Sequence, residues 1–507
     1  MATVFGDTAQ SYWQKVTLMM SLANASSFNS WDFEDMLDAY YLNNGLYDTV
    51  QQALYEGAIW TEGMKPLRNP AHRAVEFHVS HLWPGKLETA LPIVVDDANK
   101  KIVPAIQQVW TWSNWGAKKQ LATRWLANKG TMYVKVVTRK DNAGAVNRVR
   151  FQLLRSQSVS ELVSDDSDFL IYIRLDTTVT GEDGTAKTRT EIWDKSSGDC
   201  KVYEHGHGRT ADVDRMGNPI KVLTFEEMKI DFIPIAHAKF QDIGEERGLG
   251  VFVHALDKID EAARMATRLH QILFRYNKPT KAISANGLDA QGKPLPPPRL
   301  TDTDGNLVES GQTAESTDED IVTLPGMAQM QYLIPNINYA AALSILQDQM
   351  AELEEDLPEI AYYRLKADAN VSGKALRTKI AGAIDRCLDA RGNAEAALVR
   401  ADQMALTIGK VHNLERFSEL GKYENGDFNH SFAERDVIPM DKSEKAEIFR
   451  SFTSGGMPKG SAGKQAGLSQ AEIDEMMVEE DAEHKKQQAS LGQTLLEMQR
   501  QRDQGKQ

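Results

Sequence analysis

The chain has only two cysteines in 507 residues, Cys200 and Cys387, and they stand alone and far apart. That excludes a disulfide scaffold and a Cys-rich metal site, and it fits a reducing compartment. No uninterrupted apolar run approaches the ~18–20 residues that a membrane helix needs, so no membrane partner is expected. The opening stretch MATVFGDTAQSYWQ lacks the basic and apolar regions of a secretory signal, and synthesis in the cytoplasm is the expectation. An excess of basic residues is lacking as well. Lys+Arg is 58 against 72 Asp+Glu, a formal net charge of −14. A protein that grips DNA through its overall charge would be basic, so that simple mode is disfavoured. Internal repeats are also missing. What is present is a 41% apolar composition, enough for packed cores. At roughly 150 residues per domain, the length predicts about three or four structural units.

Up to about Pro104 short helical patterns alternate with turns, with an aromatic run AYYLNNGLYDT and a turn at Asn69-Pro70. Ala105 to Asn128 reads as helical and concentrates Trp110, Trp112, Trp115 and Trp125, an aromatic density that predicts a packed core or a subunit interface. From Thr131 the signal changes to strands. TMYVKVVT, RVRFQLL, DFLIYIRL, TRTEIWD and CKVYEH recur at about 8–12 residues with turn chemistry between them, as in an antiparallel meander or small barrel. Residues 131–240 therefore form a β-rich unit closing at Phe232-Ile233-Pro234-Ile235. After GEERGLG (Gly244–Gly250), Val251 to Tyr276 contains no Pro or Gly and predicts one long helix. A Pro/Gly-rich, acidic insertion follows, and then a second helix, Ala340 to Arg364. An Ala-rich helix spans about 375 to 414. Ser469 to Glu472 is a capping box that opens a last acidic helix.

The two central helices are the most informative stretch. In the first, Phe252, Leu256, Ile259, Ala263 and Ala266 recur at alternating four and three spacing, and Arg264, Arg268 and Arg275 share a charged stripe with Asp257 and Glu261. In the second, Leu343, Leu346, Met350, Leu353, Leu357 and Ile360 follow a heptad spacing, while Asp348, Glu352, Glu355 and Glu359 line the opposite face. Pro358 is expected to bend or weaken this helix near its end. A helical hairpin inside one core explains each helix alone. The polar insertion of some sixty residues between them argues for a stalk, because structureless loops that long are uncommon in compact domains.

Enzyme signatures are weak. Gly463-Lys464-Gln465 has Pro458 where a phosphate loop needs its first glycine and Gln465 where Mg²⁺ needs a hydroxyl. Asp212 to Leu223 and Asp302 to Gly305 fail as Ca²⁺ loops. His205-Gly206-His207 has no third ligand at a recognisable spacing. His72, His78 and His81 share one helix or turn without the glutamate of a zinc-protease motif. Asp165, Asp166 and Asp168 invite comparison with a nuclease but fall in a turn before a strand. No catalytic residues, metal or cofactor are expected.

The order of parts resembles the portal, or head-to-tail connector, proteins of tailed double-stranded DNA bacteriophages. The segments that carry the resemblance are YYLNNGLYD (Tyr40–Asp48), NPAHRAVEFHVSHLWPG (Asn69–Gly85), FIPIAHAKFQDIGEERGLG (Phe232–Gly250), ALDKIDEAARMATRLHQILFRYNKPTKAISANG (Ala255–Gly287) and VSGKALR (Val371–Arg377). They span roughly residues 40 to 415, and it is their order that is specific. Two positions depart from the family. Asp356-Leu357-Pro358 stands where Thr-Gly often precedes the proline, and Asp260 is followed by Glu-Ala-Ala where an Asn is common.

The resemblance implies an α+β subunit: a β-rich wing over 1–250, stem helices 251–277 and 340–364, and a small clip domain (278–339) at the stem tip. It further implies a tunnel loop at 365–374, a long helix and return over 375–438, and a helical C-terminal crown at 439–507. It implies a homo-oligomeric ring, usually of about twelve subunits, at one capsid vertex of the virion. The partners would be double-stranded DNA passing non-specifically, the terminase large subunit, neck or adaptor proteins, and the major capsid and scaffolding proteins. Arg364, Lys366, Asp368, Asn370 and Lys374 would belong to the tunnel loop. The loop cations either meet DNA, or only solvate the loop or pair with Asp368. Leu256, Ile259, Ala263, Leu343, Leu346, Met350, Leu353 and Leu357 would pack the stem and hold adjacent subunits. The acidic stripe would line the channel, pair across subunits with Arg264, Arg268 and Arg275, or do both. An acidic wall suits a conduit, since a basic bore would hold DNA rather than let it slide. Two alternatives remain: a metal-dependent nuclease using Asp165, Asp166 or Asp168, and another minor capsid protein.

Overall fold

The computed structural model describes residues 30–42, 69–142, 144–180, 185–206, 213–277, 280–285, 291, 293, 328–333, 339–366, 373–438, 442–468, 473 and 476–478. In chain order the α-helices of seven residues or more among those described are α1 (Ser30–Leu42), α2 (Ala71–His81), α3 (Ile102–Trp112), α4 (Trp115–Lys129), α5 (Leu256–Asn277), α6 (Tyr339–Asp356), α7 (Glu359–Lys366), α8 (Gly373–Lys379), α9 (Ala381–Val411), α10 (Lys442–Ser454) and α11 (Lys459–Gln465). The strands are β1 (Ile93–Val94), β2 (Thr131–Lys140), β3 (Val146–Leu154), β4 (Val159–Ser164), β5 (Leu170–Thr180), β6 (Ala186–Asp194), β7 (Asp199–Gly206), β8 (Lys221–Thr224), β9 (Ile235–Lys239), β10 (Thr280–Ala285), β11 (Ala328–Leu333) and β12 (Ser431–Phe432). Contacts among the described residues cluster into two compact units, divided at His72/Arg73, Val251/Phe252 and Leu357/Pro358. The described residues before Arg73, 30–42 and 69–72, group with the long helices α5 and α6.

In the β-rich unit, β4 to β8 form a meander, five antiparallel strands in sequence order; it contains the expected DFLIYIRL, TRTEIWD and CKVYEH strands, adds β4 and β8, and leaves TMYVKVVT and RVRFQLL to another sheet. A second sheet has the order β3-β2-β9. The alternation of β2 decides what it faces: Tyr133 joins Leu154, Ile173, Leu175, Trp193, Cys200, Val202 and Ile235 in one apolar cluster between the sheets. The alternate residues Met132, Val134 and Val136 are equally buried, on the side that α3, α4 and α9 cover. Along α9, Ala383, Cys387, Ala390, Ala394, Ala397, Ala401 and Ala405 recur at helical spacing and are all buried, a small-residue face that lets the helix lie close to the strands.

Several boundaries differ from expectation. The tryptophan-rich helix is two helices, because Asn114 takes a left-handed conformation (φ 50°) that asparagine tolerates and a helix interior does not. The second long helix does not run unbroken to Arg364. It ends at Asp356, its last turn closed by Leu357 N–H donating to Leu353 O at 2.9 Å, and α7 begins after Pro358. Proline has no N–H and crowds the preceding turn. The Ala-rich helix starts at Ala381, with α8 a separate piece before Ile380. In the stretch 278–339, expected to be a clip, β10 and β11 pair antiparallel, and most of the residues between them lie outside those described.

The glycines of GEERGLG have a steric cause. The backbone of 248–250 runs against the α4–β2 joint, where Phe240 N–H donates to Gly130 O and Val251 N–H to Ala127 O, both at 2.8 Å. A Cβ on Gly130, whose φ is +79°, would sit 2.1 Å from Gly248 O, and one on Gly250 would sit 2.4 Å from Asn128 O.

In the other unit, α5 and α6 pack as an antiparallel pair, since Lys258 near the start of α5 bridges Glu352 (2.8 Å) and Asp356 (2.7 Å) near the end of α6. The two helices are in contact, and Leu256, Ile259 and Ala263 on one side and Leu346, Leu353 and Leu357 on the other are all buried. α1 contributes Phe33, Met36, Leu37 and Tyr40, whose hydroxyl donates to both carboxylate oxygens of buried Asp260 at 2.8 Å.

Candidate functional site

Two places carry the residues that the sequence singled out: the α5–α6 pair, and the helix ends on either side of residues 367–372. On the pair, Leu346, Leu353 and Leu357 are buried within a single chain, as are Leu256, Ile259 and Ala263, and Met350 is half-buried. Their burial within one chain needs no adjacent subunit. Leu343 departs from them at 47% exposed, beside Ile345 at 50%. Of the charged stripes, Glu352 is engaged by Lys258, and Arg264 bridges Glu261 at 2.6 Å. Asp348 and Glu355 are exposed and Arg268 is half-buried. The side chain of Arg275 lies outside the described residues.

Glu359 does not belong to the exposed acidic stripe. It opens α7 with its side chain fully buried; Oε1 is 3.0 Å from His78 Nε2 and Oε2 is 3.5 Å from an Arg386 guanidinium nitrogen. Arg386 also donates to Val251 O at 2.7 Å, and Phe240 stands edge-on to the His78 ring. Burial opposes ionisation of Glu359, but the hydrogen bond and charge of His78, then the charge of Arg386, outweigh it and hold the carboxyl below its ordinary value. A carboxylate at a helix N-terminus also meets the positive end of the helix dipole. The cluster thus ties α2, α7 and α9 together beside Val251 and Pro358, the unit's terminal residues at two chain crossings.

α7 then delivers the cations. Arg364 and Lys366 are exposed at its last turn, with the Lys366 ammonium 5.2 Å from the Tyr362 ring centroid. Tyr362 meets His81 edge-on at 4.9 Å, and His81 stacks on Phe77 at 4.5 Å. Burial holds His81 below its ordinary value, with His78 and Lys366 adding to the effect against its bond to Phe77 O. Lys374 is exposed in α8. Leu365 and Lys366 of the expected loop 365–374 belong to α7 and Gly373 and Lys374 to α8, while residues 367–372, Asp368 and Asn370 among them, lie outside the described residues. His78 and Arg386 were not found from the sequence as partners of Glu359. The one local signal was an acid directly after a helix-breaking proline.

The competing sites resolve into structural roles. Asp165 Oδ1 accepts from the N–H groups of Ser167 (2.9 Å) and Phe169 (2.8 Å), an Asx turn. Asp168 pairs with Lys239 at 3.5 Å, and its carbonyl accepts from Arg400 at 3.0 Å. Asp166 is exposed. His205 Nε2 lies 3.0 Å from Thr190 Oγ1, while His207 is outside the described residues. Among the described residues there is no group of three or more His, Cys, Asp or Glu placed to hold a metal ion, and no helix long and apolar enough to cross a membrane.

No protein-family model matches the chain, and no curated protein does. Among solved structures, it is similar to a chain from the neck of an empty gene transfer agent particle, at 14% identity and a TM-score of 0.43 over 79% of this chain and 91% of that one. It is also similar to a chain of the native gene transfer agent virion, at 13% identity and a TM-score of 0.44 over 90% of this chain and 99% of that one. A third, from the neck of the native particle computed with C12 symmetry, matches at 13% and 0.44 over 83% and 93%. Likeness at that level assigns neither activity nor assembly.

Proposed function

We propose that the chain is the portal subunit of a phage-type particle. It forms a closed ring of about twelve copies that conducts double-stranded DNA at one capsid vertex and docks terminase and neck proteins, without chemistry of its own. The observation that carries this reading is the α5–α6 pair. An antiparallel strand pair lies between the two long helices in the chain, seam residues of both helices are buried within the chain, and Leu343 and Ile345 stay exposed at different angles around α6. Exposed apolar side chains on a helix whose own partner is already satisfied call for a further neighbour. The segments that resemble portal proteins bracket the same helices.

The proposed mechanism is geometric. The −14 charge of one chain, repeated around a ring, gives a wall that does not retain the duplex. Arg364, Lys366 and Lys374 are the sparse cations that meet its phosphates, and the Glu359 cluster holds α7 so that they are presented reproducibly. The test is native mass spectrometry with negative-stain imaging of the full chain, alone and with Leu343→Asp/Ile345→Asp. A hollow ring in the wild type and folded, unassembled protomers in the variant are expected. Rings from the variant would remove Leu343 and Ile345 from the interface, and a wild-type chain that cleaves DNA with Mg²⁺ would overturn the reading.

A further inference from the structure

A cleft of about 410 Å³ opens where α3 turns into α4 against β3, with Trp112, Trp115, Trp125 and Phe151 among its walls and Lys118 and Arg150 at its rim. The walls are held rigidly. Trp115 is fully buried, with Phe151 edge-on at 5.7 Å and Trp83 at 6.0 Å, and Trp112 stacks on Phe417. Ser113 pins the corner by accepting from Phe151 N–H at 2.8 Å and donating to Val109 O.

Its electrostatics run against the rest of the chain. Lys118 and Arg150 are exposed, and neither is held in an ion pair among the described residues. Beside Arg150, Arg148 stands directly opposite Arg139 across the β2–β3 ladder, and Lys140 follows, all exposed. Like charges facing each other on adjacent strands are destabilising, and this chain has acids to spare for pairing them. The α4 N-terminus opens at the same corner, where the Asn114 side chain does not cap it, so its first-turn N–H groups favour an anion. The fully buried Trp115 also has an indole N–H with no hydrogen-bond partner. Each feature suits a ligand that is acidic and partly apolar.

The chain itself contains such a segment. Residues 472–483 hold seven carboxylates (Glu472, Asp474, Glu475, Glu479, Glu480, Asp481, Glu483) and no Lys or Arg, around Ile473, Met476, Met477 and Val478. Ile473 is buried beside Gly463, whereas Met477 is 52% and Val478 69% exposed. We propose that this cleft receives the acidic, methionine-bearing segment 472–483 of a second copy of the chain, the apolar side chains entering between Trp112 and Trp125 and the carboxylates meeting Lys118, Arg150 and the α4 N-terminus. It rests on the reading that copies assemble, and it adds a contact from the C-terminal segment of one copy to the β-rich unit of the next.

The test is fluorescence anisotropy of a labelled peptide spanning residues 471–484, titrated with the full chain. Saturable binding is expected. It should weaken about tenfold with Arg150→Glu or Lys118→Glu, weaken in high salt, and weaken when the peptide carries Met477→Asp. Lys221→Glu, on the exposed strand β8, should change nothing. No saturable binding, or equal loss with Lys221→Glu, overturns the proposal. So does duplex DNA binding at the Arg150 rim while the peptide does not, which would make the occupant a nucleic acid. The titration needs no ring, so its failure leaves the ring reading untouched, and absence of a ring does not prevent the peptide from binding.

Discussion

Replacing Glu359 by alanine removes the acid that His78 and Arg386 share, and the structure sets the size of the effect. The carboxylate is fully buried, 3.0 Å from His78 Nε2. Arg386 retains Val251 O at 2.7 Å and is about a quarter exposed, so it recovers part of its loss from water. His78 does not: its Nδ1 already has no hydrogen-bond partner, and alanine would leave both ring nitrogens without one among aromatic rings. Breaking one side of a buried pair costs about 3–5 kcal/mol, and the vacated volume keeps the estimate from the low end. At about 2 °C per kcal/mol for a unit of this size, a cost near 4 kcal/mol lowers Tm by ~8 °C. Glu359→Gln keeps an acceptor for His78 and loses the charge, at about 2 kcal/mol. Because the folded carboxyl is held below its ordinary 4.5, its contribution is present above that value and is lost as pH falls through the lower folded one. The gap between wild type and Gln should therefore close in acid. Calorimetry from pH 7 down to pH 3 checks this. A Glu359→Ala change within about 1 kcal/mol of wild type, or equal costs for Ala and Gln, would refute the reasoning.

Three further outcomes are expected. Leu353→Asp should destabilise the protomer by several kcal/mol, roughly 3–5, because it buries an unpaired charge in the α5–α6 seam, whereas Leu343→Asp should leave protomer stability within about 0.5 kcal/mol; urea midpoints of the two variants separate folding from assembly. Gly130→Ala should cost about 3 kcal/mol or more, since it combines a left-handed backbone with a Cβ 2.1 Å from Gly248 O, and reduced soluble yield with a lowered urea midpoint would show it. Burial pushes His237 down to about 4, so the unfolded chain binds a proton between pH 6.5 and 4 that the folded chain refuses. Stability should fall by about 3 kcal/mol across that window as pH drops, and His237→Asn should flatten this part of the profile.

What the sequence disclosed was periodic. Alternation marked β2, β3, β5, β6 and β7, and three-and-four spacing marked the seams of α5 and α6, because each of those faces is buried. Boundaries governed by one residue were half legible: Pro358 was seen as a weakening, yet it separates two helices, and the left-handed turn at Asn114 was not seen. Glu359 shows why the rest was hidden. Its spacing from Glu355 and Glu352 puts it on an acidic helix face, but the break at Pro358 removes it from that helix, and the histidine it meets is 281 residues away in the chain. The heptad leucines show the same limit, since spacing predicts that a stripe is buried and is silent on whether the partner belongs to the same chain.

The central claim is that this chain closes into a ring in which Leu343 and Ile345 of α6 are covered, and the most direct measurement is the native mass of the full-length protein together with class averages viewed down any symmetry axis. The account predicts a single closed species of about twelve subunits with a central channel, reduced to protomers by Leu343→Asp/Ile345→Asp while Tm stays near that of the wild-type protomer. A chain that remains monomeric at every concentration, with its virion partners present as well as alone, would contradict it.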